Sequence, residues 1–156
     1  MMAGLVGKKA PAFKLESVKG TVTLANFAGK YLVLYFYPRD NTPGCTTEAL
    51  AFRDARAKLA KKGAVVVGVS KDSLASHTRF ADKCSLDFPL LSDPDGKTIQ
   101  AYGAWGEKVL YGKRSEGILR TTVIIAPDGK IAHVFEKVKV AGHADAVLDK
   151  LDELRG

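Results

Sequence analysis

Three short runs of large apolar residues, Tyr31–Tyr37, Ala64–Val69 and Thr121–Ala126, constrain this chain more than any other feature. None alternates apolar with polar positions, as a strand with one wet face would. Each therefore reads as a strand covered on both sides, at the centre of a sheet flanked by helices. Between the first two runs, Thr46–Lys62 repeats Ala49, Phe52, Leu59 and Ala60 at helical spacing, and Gly63 follows as a helix terminator. Such a strand–helix–strand crossover is right-handed and its strands parallel. The fold class is α/β.

The remaining segments add to this frame. Ser73–Cys84 carries Leu74, Phe80 and Ala81 and reads as a second helix, followed by an extended piece, Phe88–Leu91, and a turn cluster, Ser92–Gly96. Thr98–Tyr102 reads as one or two helical turns. Gly103–Gly117, with four glycines, reads as an irregular loop over a site. Pro127-Asp128-Gly129 turns the third apolar run back into Lys130–Lys137 as a β-hairpin. His143–Leu154 repeats Ala144, Val147, Leu148, Leu151 and Leu154 as a last helix, and Thr21–Leu24 suggests an edge strand or hairpin arm. No linker, repeat or low-complexity stretch divides residues 1–156, so one domain is expected. A chain of 156 residues can bury roughly 68–70% of its unfolded surface, enough to fold without metal or disulfide.

Several function classes are weakened by composition. The longest apolar run, Tyr31–Tyr37, falls far short of the ~18 residues of a membrane span. Met1–Ala10 lacks the pattern of a secretory signal, so a cytoplasmic protein with no membrane partner is expected. The net charge of +7 comes from 24 basic residues interleaved with 17 acids, as in Arg53-Asp54-Ala55-Arg56. That is a solvated basic surface, and no nucleic acid is expected as partner. Two distant cysteines with scattered His77, His133 and His143 make no zinc cluster, and there is no Cys-x-x-Cys, phosphate loop or dinucleotide fingerprint. No metal or organic cofactor is expected. Trp105 and Tyr111 read as packing residues, or as walls of a pocket.

The chemistry concentrates in Tyr35-Phe36-Tyr37-Pro38-Arg39-Asp40-Asn41-Thr42-Pro43-Gly44-Cys45-Thr46-Thr47-Glu48. A buried strand ends, a turn follows, and Cys45 arrives where a helix begins, at the carboxyl edge of the sheet where ligands bind in open α/β folds. The helix N-terminus stabilises a thiolate, so Cys45 is expected to be a nucleophile at neutral pH. The alternative is a small buried hydrophobe. Taken singly, Pro38 is equally a strand terminator, and Thr42 a cap or turn hydroxyl.

The segment PRDNTPGC resembles the Pro-x-x-x-Thr-x-x-Cys signature of the peroxiredoxins, and YFYPRDNTPGCTTEALAFRD is similar to their bacterioferritin comigratory protein, or PrxQ, subfamily. The likeness extends through VGVSKDS, FPLLSDPDG, YGK and GILRTTVII. It implies a thioredoxin-like fold, a central mixed β-sheet flanked by helices, and reduction of hydroperoxides by a cysteine thiolate. Cys45 matches the attacking cysteine, Thr42 the hydroxyl that orients the peroxide, Pro38 the residue that shields the pocket, and Arg120 the arginine that completes it. In related peroxidases a glutamate at the offset of Glu48 holds that arginine; otherwise Glu48 is a first-turn acid facing the helix dipole. The resemblance also implies a resolving thiol. Some members carry it five positions after the first cysteine, which is Leu50 here; others carry it in the helix after the second central strand, where Cys84 lies. An intramolecular Cys45–Cys84 disulfide is expected, with thioredoxin or glutaredoxin as reductant and a monomeric chain. The alternatives are resolution by an external thiol, with Cys84 a half-buried packing residue, or a thioredoxin-fold binding or chaperone module.

Overall fold

The computed structural model describes residues 2–156. Met1 of the Met1–Ala10 segment lies outside them. The strands are β1 (Lys14–Ser17), β2 (Gly20–Thr23), β3 (Tyr31–Phe36), β4 (Ala64–Ser70), β5 (Leu90–Ser92), β6 (Trp105–Leu110), β7 (Lys113–Ile118), β8 (Thr121–Ile125) and β9 (Ile131–Phe135). The helices are α1 (Pro43–Lys61), α2 (Leu74–Cys84), α3 (Lys97–Ala101) and α4 (His143–Arg155). Seven strands form one mixed sheet in the order β2-β1-β5-β4-β3-β8-β9. β3, β4 and β5 are parallel, and the flanking pairs are antiparallel. No helix among the described residues is long and apolar enough to cross a membrane.

The three apolar runs lie next to one another inside the sheet, as β4, β3 and β8, with none of them at an edge. Their lack of alternation has a direct cause in β3. Val33, Tyr35 and Tyr37 enter the cluster shared with α1, α2 and α4, while Leu32, Leu34 and Phe36 enter a second cluster on the opposite face with Ile99, Tyr102 and Ile118. Both faces are dry, so both parities are apolar. α1 is fixed across its sheet-facing side by Ala49, Phe52 and Leu59, each no more than 1% exposed.

Two expectations need correction. The helix after β3 begins at Pro43, not Thr46, because Pro43 occupies a first-turn position where its missing N–H is no loss. Cys45 thus stands inside the first turn. Gly103–Gly117 is not an irregular loop: β6 and β7 pair from Trp105↔Ile118 to Leu110↔Lys113 around a two-residue turn at Tyr111-Gly112. Tyr111 and Gly112 both have positive φ, 52° and 77°, as the tightest hairpin turns require. The hairpin projects from the sheet with both faces largely wet, so no apolar alternation marks it.

Candidate active site

The loop from Pro38 to Thr42 carries the chain from the end of β3 to α1. Asn41 takes the left-handed conformation, φ 62°, which lets the chain reverse within four residues. Thr42 is the N-cap of α1 with extended φ and ψ, but its hydroxyl caps nothing and donates to the Arg39 carbonyl at 2.9 Å. Thr46 N–H returns to the Thr42 carbonyl at 2.8 Å and closes the first turn. The Cys45 thiol, 2% exposed, sits at the positive pole of a 19-residue helix.

Arg120 reaches this thiol from the other side. It precedes β8, which pairs with β3, so the two segments meet at the same edge of the sheet. Its Nη2 donates to Cys45 Sγ at 3.3 Å and its Nη1 to Glu48 Oε1 at 2.7 Å. Glu48 is three residues after Cys45, about one turn along α1, and so lies beside it. The approach is tight: a Cβ on Gly44 would come within 3.3 Å of Arg120 Nη2, so glycine leaves the space that the guanidinium occupies. Glu48 is 1% exposed and its Oε2 has no partner among the described residues. Burial pushes its pKa up to about 7, although the Arg120 charge and hydrogen bond pull the other way. The same pair holds Arg120 above the ordinary arginine value despite its own partial burial.

The structure therefore brings together Cys45, Arg120, Glu48 and Thr42, with half-buried Pro38 at the start of the same loop. It does not bring Cys84 to Cys45. Cys84 is the last residue of α2, 6% exposed, and both thiols are free. Its carbonyl accepts from Arg53 Nη1 at 2.8 Å, and Arg53 lies eight residues after Cys45 on α1, ~12 Å of helix rise. His143 is no ligand: its Nε2 meets Thr122 Oγ1 at 2.7 Å, its ring stacks edgewise on Phe52 and Phe135, and burial with the Arg120 charge pushes its pKa down to about 4. Trp105 lies at the hairpin base under the Lys71 ammonium, 4.9 Å from the ring centre, while Tyr111 is 96% exposed. Asp40 and His77, which meet at 2.6 Å, are functional candidates that the sequence does not mark, because residues that far apart carry no spacing signal.

Residues 6–134 match the AhpC/TSA family. Peroxiredoxin Bcp of Bacillus subtilis is 43% identical over 150 residues, 96% of each chain. Peroxiredoxin Bcp of Xanthomonas campestris is 49% identical over 129 residues, 83% of this chain and 81% of that one. A solved structure of the Xanthomonas campestris bacterioferritin comigratory protein, studied for its alkyl peroxide reduction activity, superposes with a TM-score of 0.87 at 44% identity over 92% of both chains. Peroxiredoxin Q of the same organism gives 0.86 at 46% identity over 90% of both. The sheet with its flanking helices is thus the thioredoxin-like fold of these enzymes, and the binding-module alternative falls away. The chain belongs to the AhpC/TSA family, among its Bcp-type peroxiredoxins.

Proposed function

We propose that Cys45 is the sulfur through which this thiol-dependent peroxidase reduces hydrogen peroxide and organic hydroperoxides. The observation that carries the reading is the guanidinium of Arg120, 3.3 Å from Cys45 Sγ at the first turn of α1. The Cys45 thiolate attacks the terminal peroxide oxygen, and the O–O bond breaks. Cys45 becomes a sulfenic acid, and the departing hydroxide or alkoxide takes a proton from solvent to leave as water or an alcohol. Arg120 stabilises both the thiolate and the charge growing on the leaving oxygen. Thr42 orients the peroxide, Pro38 shields the pocket from water, and Glu48 holds Arg120 in place. Hydrogen peroxide consumption by the reduced protein, followed by rapid mixing, tests this: Cys45→Ser should abolish it, and undiminished consumption would refute the reading.

The oxidised enzyme is resolved by Cys84 and returned by a dithiol protein of thioredoxin or glutaredoxin type. The reading takes the chain as one domain, monomeric and cytoplasmic, with no nucleic-acid partner. Support for Cys84 is its place in α2 and in the same apolar cluster as Cys45. One observation favours an external thiol instead. The two cysteines replaced singly in Xanthomonas campestris peroxiredoxin Q are 36 residues apart, whereas 39 separate Cys45 from Cys84, and the same offset here falls on Ala81, about one turn earlier. Non-reducing peptide mapping after peroxide treatment decides between them. A Cys45–Cys84 peptide is expected, and its absence would make the enzyme one-cysteine.

A further inference from the structure

Beneath the Cys45 loop lies a buried polar cluster that the peroxide chemistry does not use. His77, on α2, is 0% exposed. Its Nδ1 is 2.6 Å from Asp40 Oδ2 and its Nε2 is 2.9 Å from the Leu91 carbonyl of β5. Both neighbours are acceptors, so both ring nitrogens carry hydrogen and the ring is an imidazolium. Asp40 also accepts from the Tyr37 hydroxyl at 2.5 Å and from the Ser76 hydroxyl at 2.9 Å. Its amide donates to Asp72 Oδ2 at 2.8 Å. The residue five before Cys45 is thereby tied to β3, to α2 and to the connection after β4. Asp40, Asp72 and His77 are spaced to hold an ion, but both ring nitrogens are already engaged within the protein.

We propose that His77 is a positioning residue: as an imidazolium it clamps the Cys45 loop onto α2 through Asp40, and release of the clamp lets oxidised Cys45 leave its pocket for a resolving thiol. The inference rests on the Cys45 reading above. Cys45 is 2% exposed, so its sulfenic acid must emerge before any thiol reaches it. For Cys84 the demand is stronger, because disulfide bonding needs Cα atoms about 4.4–6.8 Å apart. In that step the Cys84 sulfur attacks the Cys45 sulfur and the S–O bond breaks. The oxygen leaves as water, carrying the sulfenic and thiol protons. A sulfenic acid that stays in the pocket meets a second peroxide instead and becomes a sulfinic acid.

The charges facing His77 set the sign of its titration. Asp40 and Asp72 are nearest, and Lys19, Asp82 and Asp87 line the groove on its outer side. Burial disfavours the cation, but the Asp40 hydrogen bond and charge and the Leu91 carbonyl outweigh it, so the pKa lies above the ordinary histidine value. The clamp is therefore closed below that raised pKa and weakens as pH rises through it, because a neutral ring supplies one N–H for two acceptors.

The test compares wild type with His77→Gln, each reduced, treated with graded hydrogen peroxide, and analysed by intact mass for sulfinate against disulfide. Near neutral pH the variant should give roughly tenfold less sulfinate at equal peroxide, with its first-step rate constant within about twofold of wild type. The gap between the two proteins should close as pH rises. Equal sulfinate fractions in two folded proteins, or a gap that ignores pH, would overturn the clamp. Ser76→Ala, which removes one donor to Asp40 at a half-buried position, should shift the fraction in the same direction by less, and covers the case in which His77→Gln fails to fold. If wild type forms no disulfide, the Cys84 reading fails separately, and the same comparison with added dithiothreitol still tests the clamp.

Discussion

Cys45 and Cys84 share one apolar cluster and are almost equally hidden, at 2% and 6% exposure, yet they stand at opposite poles of their helices. Cys45 is in the first turn of α1, where free N–H groups and the dipole favour a negative sulfur, and a guanidinium touches it. Cys84 closes α2, where the dipole has the other sign. Its nearby cation, Arg53, is engaged by its backbone carbonyl rather than its sulfur. Burial alone thus says nothing about a thiol. The helix pole and the aim of the neighbouring cation are what set the two thiols apart.

The comparison can be broken outright by exchanging each cysteine for serine. Cys45→Ser should reduce peroxide consumption to background, whereas Cys84→Ser should keep the first-step rate within about twofold, since the two sites do not touch. Rapid-mixing kinetics on both variants checks this. Next in size, Arg120→Ala should slow the peroxide step by about 10²–10³-fold while far-ultraviolet circular dichroism stays native, as expected for loss of a charge-stabilising donor.

Glu48→Gln sharpens the picture through pH. Glu48 titrates near 7, so the wild-type rate should fall as pH drops through about 7 and the carboxylate that holds Arg120 is lost. The variant should lack that limb of the pH profile. Stability should move the opposite way. A carboxyl whose folded pKa is raised from 4.5 to about 7 stays protonated in the native state after the unfolded chain has released its proton. Wild type therefore loses stability as pH rises through that window, by on the order of 3 kcal/mol, and Glu48→Gln should not. Denaturant titrations at pH values on either side of the window measure the difference. Smallest of all, Arg53→Ala should lower stability by only about 1 kcal/mol, while thiol labelling of Cys84 becomes faster than in wild type.

Much of this was legible in the residues. The three unalternating runs are three adjacent interior strands, unalternating because each feeds two cores, and PRDNTPGC marks the loop and helix start that hold Cys45. What the sequence hid follows from how each feature is made. The β6–β7 hairpin has two wet faces, so Lys113–Glu116 reads as loop although it pairs with Glu107–Leu110. Pro43-Gly44 reads as a turn in the sequence, whereas in the fold Pro43 opens the helix. The His77–Asp40 contact joins residues of two separate elements and depends on tertiary packing alone. Cys84 is visible in the sequence as a thiol at the end of the second helix, but its distance from Cys45 is not, since that depends on how α2 lies against α1.

The central claim is that Cys45 is the sulfur that meets the peroxide. Its most direct test uses the Cys84→Ser protein, reduced and mixed with one equivalent of hydrogen peroxide in the presence of a sulfenic-acid trap, followed by peptide mass mapping. The account predicts rapid, near-complete trapping on the peptide that carries Cys45. An unmodified Cys45 after peroxide has been consumed would contradict it.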